Sequence, residues 1–168
     1  MSNRDWFLVI SLGILWGASF LFVEVLLDLI NPFLIVYFRV SIASVILVLF
    51  LYLSKIKFKS SYKMIYNLFV MALLNNVVPF LLIAYGQRTT TGGLASILNA
   101  NTSLITILLA SIFIPYEKLT VNRLLGVLIG LLGIIIAVGY ESFSTIYDTS
   151  YGKFLILLAT VSYSFAGI

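Results

Sequence analysis

Six apolar segments, each close to the length needed to cross a bilayer, follow one another along the 168-residue chain. Hydrophobic residues make up 62% of the sequence and charged residues 10%, against roughly 25% charged residues in soluble domains. In lipid a segment must satisfy its own backbone hydrogen bonds, so spans of this length are helices. We therefore predict an all-α polytopic membrane protein with about six transmembrane helices. The segments cover about 6–30, 33–53, 64–85, 92–114, 121–139 and 152–168.

The sixth segment is the shortest of the apolar segments that could cross a membrane. It offers about 17 residues, which is the lower limit for a span. It also stops without a flanking charge or a helix cap. These features are typical of a fragment or a truncated product.

The composition excludes several kinds of chemistry. The chain has no cysteine and no histidine, so disulfides, thiolate or imidazole metal sites and triad-type catalysis are absent. It has no GxxxxGK[ST] motif, no HExxH motif and no carboxylate dyad. Ten basic residues against six acidic ones fit cytoplasmic loops and anionic lipid headgroups better than nucleic acid. We expect no enzyme activity, no cofactor, no metal ion and no nucleic-acid partner.

Basic residues are concentrated at alternate ends of the segments, beginning with the N-terminus. Seven of them lie on that side: Arg4, Lys55, Lys57, Lys59, Lys63, Lys118 and Arg123. The opposite ends hold two basic residues together with acidic ones: Arg88, Lys153, Asp28, Glu141 and Asp148. Because basic loops stay in the cytoplasm, the N-terminus is predicted to be cytoplasmic. The expected location is a bacterial-type inner (plasma) membrane.

A polar stripe runs along the fourth segment. Its members recur at spacings of three, four and three, which places them on one face of a helix; they are Ser96, Asn99, Ser103 and Thr106. In a membrane each such group needs a partner. The stripe should therefore face other helices or a wet cavity rather than acyl chains.

Polar and aromatic side chains on three segments fall at a similar depth, given a rise of about 1.5 Å per residue. They are Trp16, Asn75, Asn76, Asn99, Thr102 and Ser103. Solute sites of secondary transporters lie near the bilayer midplane and are lined by broken or kinked helices. Pro79 crowds the carbonyl of Asn75 and predicts a kink beside the two amides. The alternative is that these groups are interhelical hydrogen-bond partners, worth about 0.6 kcal/mol each.

Two ionisable residues lie within spans at similar depth. Glu24 precedes the end of the first segment and Arg39 follows the start of the second. Glu24 is a candidate proton carrier and Arg39 a candidate clamp for an anionic solute. The alternative is a structural ion pair between the two side chains.

Short motifs occur in a fixed order over nearly the whole chain. They are Trp16-Gly17-Ala18-Ser19-Phe20, Asn31-Pro32 with Arg39, Ala84-Tyr85, Gly92-Gly93-Leu94-Ala95-Ser96-Ile97-Leu98-Asn99-Ala100, Glu117-Lys118-Leu119-Thr120, Arg123-Leu124-Leu125-Gly126, and Gly130 to Gly133. In this order and spacing the sequence resembles the EamA-type transporters of the drug/metabolite transporter superfamily. Where that family often has a proline midway along the fourth helix, this chain has Asn101, Thr102 and Ser103. The resemblance therefore gives no support for a proline kink there.

The resemblance implies a ten-helix fold made of two five-helix repeats of inverted topology, with the solute path between them. On this basis residues 1–140 form the first repeat, and residues 141–168 form an outer loop and the truncated first helix of a second repeat. The implied function is secondary transport, as an exporter, of a small organic metabolite or amino-acid-like solute by alternating access.

Half of such a fold cannot alternate access alone, so transport requires either a longer natural chain or a partner half. One alternative is a half-size transporter that works as an oppositely oriented homodimer. The strong bias of basic residues argues against the dual topology that this needs. The other alternative is a non-transporting membrane scaffold or assembly protein.

Overall fold

The computed structural model describes residues 2–55, 61–117, 119–138 and 146–168. Within these ranges it consists of helices joined by short turns: α1 (Asn3–Leu27), α2 (Pro32–Leu53), α3 (Tyr62–Ala72), α4 (Val78–Gly86), α5 (Gly92–Asn99), α6 (Asn101–Phe113), α7 (Val121–Val138) and α8 (Ile146–Ala166). A π-helical turn, Leu73–Val77, joins α3 to α4. Four residues used above to predict orientation lie outside the described ranges, as does the expected boundary at 140/141; they are Lys57, Lys59, Lys118 and Glu141.

The prediction of an all-α polytopic membrane protein is confirmed. In the part of the chain that the structure describes, four helical stretches are long and apolar enough to cross a membrane: Asn3–Leu27, Pro32–Leu53, Tyr62–Gly86 and Gly92–Phe113. Shorter apolar helices follow at Val121–Gly130 and Tyr151–Ala166. The sixth segment is longer than its apolar composition indicated, because α8 begins at Ile146 and runs for 21 residues.

Side chains next to the apolar runs explain where several helices begin. Ser2 and Asp5 form a capping box, in which each side chain accepts a hydrogen bond from the other residue's backbone N–H. Asn31 caps α2 by accepting from the N–H of Phe33 at 2.7 Å, and Pro32 fits the first helical position. These caps supply acceptors to N–H groups that have no partner inside the helix.

Helix α8 occupies the centre of the described structure. It packs mainly against α4 and α6, and also against α5 and the π-helical turn. Ile156 of α8 is fully buried and forms a cluster with Ala95 and Leu98 of α5. The sixth segment is thus the element around which the third and fourth spans are arranged.

Helices α4 and α8 approach each other through glycine. A Cβ atom on Gly86 would lie 2.7 Å from the carbonyl oxygen of Gly152, and a Cβ on Gly152 would lie 2.5 Å from the carbonyl oxygen of Gly86. Because the obstructing atoms are backbone, side-chain movement cannot relieve either clash. Glycine at both positions therefore permits the close backbone contact between α4 and α8.

Candidate functional site: the polar faces around α8

Hydroxyl groups link α6 to α8. The Thr106 and Ser164 hydroxyls lie 3.1 Å apart, and the carbonyl oxygen of Thr102 is 3.1 Å from Ser164 Oγ and 2.7 Å from Thr106 Oγ1. Ser164 is also 2.7 Å from the carbonyl oxygen of Thr160 in its own helix. Each hydroxyl carries one proton, so the group has fewer protons than available acceptors and can exchange partners. The Thr106 end of the polar stripe thus faces α8.

The π-helical turn lies at the two amides of the third span. Val78 donates its N–H to the carbonyl of Leu73, five residues back. The next bond in this pattern would run from residue 79 to the carbonyl of Leu74, but Pro79 has no N–H. Asn75 and Asn76 lie within the turn and are half-buried. The helix thus changes its geometry directly before the proline.

Ser162 of α8 supplies the missing hydrogen bond. Its hydroxyl donates to the carbonyl of Leu74 at 2.8 Å, across 88 residues of sequence. A carbonyl released by proline in a membrane helix needs such an outside donor. The π-helical turn is therefore tied to the sixth segment by a single side chain.

The fourth span is interrupted at Ala100, between α5 and α6. The N–H of Ala100 points toward the carbonyls of both Ser96 and Ile97, so the chain tightens locally without a proline. Two side chains bond back across the interruption: Asn101 to the carbonyl of Leu98 and Thr102 to the carbonyl of Asn99. An irregularity exists here although no proline is present to cause it.

Asn99 lies at the interruption with spare hydrogen-bonding capacity. Its Oδ1 atom is buried and has no hydrogen-bond partner within the described chain. A buried acceptor without a partner is costly, and such groups call for a specific explanation. Among the predicted site residues, Asn99 therefore has a buried acceptor that is available to a ligand or a water molecule.

Two predicted site residues are not brought to this region as lining groups. Trp16 remains 64% exposed on α1, and the Ser103 side chain is exposed on α6. Gly13 and Gly17, which flank Trp16 on α1, also have no neighbouring atoms within 4 Å of an added Cβ. Of the stripe, Ser96 donates to the carbonyl of Gly93 in its own helix. Similar depth alone did not indicate which side chains face one another.

The ion pair considered for Glu24 and Arg39 is absent from the described structure. The Glu24 carboxylate lies at the start of α5, 2.6 Å from where a Cβ on Gly92 would sit. Arg39 instead lies over the ring of Phe80, 3.9 Å from the ring centroid. A salt bridge joins Arg123 to Glu117 on the surface. The Glu24 and Arg39 side chains were predicted at similar depth, but they have different neighbours in the structure.

Gln87 lies beside Gly92, as Glu24 does. Its side chain is 5% exposed and donates to the carbonyl of Phe20 at 3.0 Å, which links α1 to the turn before α5. Its Oε1 atom has no partner in the described part of the chain. Gln87, Ser162 and Ser164 were not among the predicted site residues, because their partners lie 58 to 88 residues away and leave no local pattern.

The arrangement can offer hydrogen bonds to a polar solute. Amide groups come from the π-helical turn and from Asn99, and hydroxyls come from α6 and α8. Among the described residues no three acidic side chains group together as a metal site would require. These amide and hydroxyl groups are suited to binding a polar solute through hydrogen bonds.

Curated proteins with similar sequences are named as transporters. The uncharacterized transporter YoaV of Bacillus subtilis (strain 168) is 26% identical over 160 residues. An uncharacterized transporter of Archaeoglobus fulgidus is 21% identical over 159 residues. Each comparison covers 95% of this chain and 54% of the relative, so the chain spans about half the length of these curated relatives. No solved structure gives a significant match.

The family comparison confirms the resemblance found in the motifs. Residues 5–139 match the EamA-like transporter family, from α1 through α7. This range includes the π-helical turn, the interrupted fourth span and both intramembrane charges. The chain therefore belongs to the EamA-like transporter family.

Proposed function

We propose that the chain is the N-terminal portion of a secondary transporter that moves a small organic metabolite or amino-acid-like solute, as an exporter. The observation that carries this proposal is the contact of Thr106 with Ser164. It joins the polar face of the fourth span to the segment that would open a second repeat. Solute sites of repeat-built transporters lie at such junctions, near the midplane.

The proposed mechanism uses the irregular helices as the moving parts. Asn75, Asn76 and Asn99 supply amide groups to the solute, together with the Thr102 hydroxyl. Pro79 and the π-helical turn form the hinge of the third span, which Ser162 holds in the present conformation. Trp16 and Ser103 lie on open surfaces of the described chain and contact the solute only after further helices cover them. Coupling to a proton would fall to Glu24.

Alternating access needs a second half, supplied by a longer natural chain or by a partner such as a second copy. Small-residue faces on α1 and α7 are free to receive it. An added Cβ would meet no atom within 4 Å at Gly13, Gly17, Gly126 or Gly133. Small residues allow close helix approach in membranes, so these faces are the proposed contact surfaces.

The test is solute binding by the reconstituted chain, compared with an Asn99→Leu variant. Asn67 is an exposed amide on α3, so Asn67→Leu is the matched control. We expect binding of at least one solute from an amino-acid and metabolite panel, weakened about tenfold by Asn99→Leu through loss of one buried hydrogen bond. The control should bind like the unmodified chain. A scaffold protein would show neither binding nor sensitivity to Asn99→Leu.

A further inference from the structure

Arg39 is a cation inside a membrane-spanning helix whose charge is not neutralised by the described residues. It lies in the first half of α2. No carboxylate forms a salt bridge with it, and none of its N–H groups donates a hydrogen bond in the described ranges. An arginine at this depth is costly, and intramembrane charges mark functional sites by default.

Phe80 holds the guanidinium in place. The guanidinium carbon lies 3.9 Å from the ring centroid, within the range of a cation–π contact. The contact covers one face of the planar group and forms no hydrogen bond with it. Phe80 follows Pro79 directly, so the ring is carried by the helix that begins after the π-helical turn.

Helix α8 adds a third residue, Tyr163, to the surroundings of Arg39. Tyr163 of this helix is half-buried and lies in the neighbourhood of Arg39. Ser162, its neighbour in sequence, is bonded to the carbonyl of Leu74. Arg39 therefore stands where three elements meet: α2, α4 and the sixth segment.

We propose that Arg39, held against Phe80 beside Tyr163, binds the anionic group of the transported solute, a carboxylate or a phosphate. A guanidinium presents its N–H groups in a planar fork that matches two oxygens of such a group. The described residues do not cover the Arg39 side chain, so its N–H groups are left available for an oxyanion. This inference rests on the proposed transport function and narrows its substrates to oxyanions.

The test uses phenylglyoxal, a neutral reagent that modifies arginine side chains, with the extent at each arginine read by mass spectrometry. The full chain is held in a maltoside detergent, which contains no phosphate. Benzoate and inorganic phosphate are the anionic probes, and benzamide is the uncharged match for benzoate. Arg4 and Arg88 are exposed and serve as internal controls.

We expect benzoate or phosphate to slow the modification of Arg39 at least tenfold, and benzamide to leave it unchanged. Neither probe should protect Arg4 or Arg88. A Phe80→Leu variant should lose most of the protection, because its guanidinium is no longer held. If no oxyanion protects Arg39, or if benzamide protects equally, the proposal is wrong.

A second arm separates a solute from a lipid headgroup as the source of the anion. The chain is reconstituted in phosphatidylcholine nanodiscs without any added probe. We expect Arg39 to stay reactive there and to become protected when benzoate or phosphate is added. Full protection by the lipid alone would assign the site to a headgroup and overturn the proposal. Binding of neutral solutes that depends on Asn99, without anion protection, would overturn this inference and leave the transport function standing.

Discussion

At the scale of single residues, Gly92 shows how closely the first and fourth spans meet. A Cβ there would lie 2.6 Å from Glu24 Oε2 and 3.0 Å from the carbonyl oxygen of Phe20. The carboxylate can move, but the carbonyl belongs to the backbone of α1. Gly93, the next residue, has no atom within 4 Å of an added Cβ.

We expect Gly92→Ala to lower the free energy of unfolding by about 1–3 kcal/mol, the usual cost of an overpacked contact. Gly93→Ala is the matched control and should unfold at or above the temperature of the unmodified chain, since alanine favours a helix. Thermal unfolding in detergent, followed by circular dichroism, measures both. Equal behaviour of the two variants would contradict the contact.

Ser162 is the second residue whose role can be isolated. Removing its hydroxyl by Ser162→Ala should destabilise the chain by about 0.6–1.7 kcal/mol, the range for interhelical hydrogen bonds in membranes. Ser111→Ala is the control, because the Ser111 hydroxyl bonds only to the carbonyl of Leu108 in its own helix.

The cost of Ser162→Ala should depend on whether residue 79 is proline, which a Pro79→Ala variant tests. Alanine restores an N–H that can bond to the carbonyl of Leu74, so the Ser162 hydroxyl should become dispensable. In a double-mutant cycle the cost of Ser162→Ala should therefore shrink toward zero. A cost that is the same with Pro79 and with alanine would mean that Ser162 does not replace the missing donor.

At the scale of helices, the position of α8 depends on its glycine contact with α4. The chain contains no cysteine, so Thr106→Cys with Ser164→Cys introduces one thiol pair, where the native hydroxyls are 3.1 Å apart. We expect oxidation to cross-link this pair readily. Gly86→Val should reduce the cross-linked fraction severalfold by pushing α8 away. Gly133→Val, at an open position on α7, should leave it unchanged.

The sequence predicted the elements better than their contacts. Apolar length was sufficient to predict where the spans lie, because this signal is local. The interruption at Ala100 was not predicted, since no proline or glycine marks it, and the start of α8 at Ile146 lies in a polar stretch outside the apolar run. The faces that meet were the least predictable. Partners such as Thr106 and Ser164 are set by packing between distant helices.

At the scale of the whole molecule, the predicted orientation can be tested with two exposed positions. Leu29 is 75% exposed between α1 and α2, and Tyr62 is 88% exposed at the start of α3. With a cytoplasmic N-terminus, a membrane-impermeant maleimide should label Leu29→Cys on intact cells. It should label Tyr62→Cys only after permeabilisation. The opposite pattern would reverse the assignment, and equal labelling would indicate dual topology.

The bond between Ser162 and Leu74 also imposes an order on biosynthesis. The third span, with its proline, is translated well before the serine that completes its hydrogen bonding, 88 residues later. Until the sixth segment arrives, the Leu74 carbonyl must be served by water or by another temporary donor. The third span therefore reaches its final conformation late in membrane insertion. Before that, the nascent chain passes through a stage in which the π-helical turn lacks its hydrogen bond from Ser162.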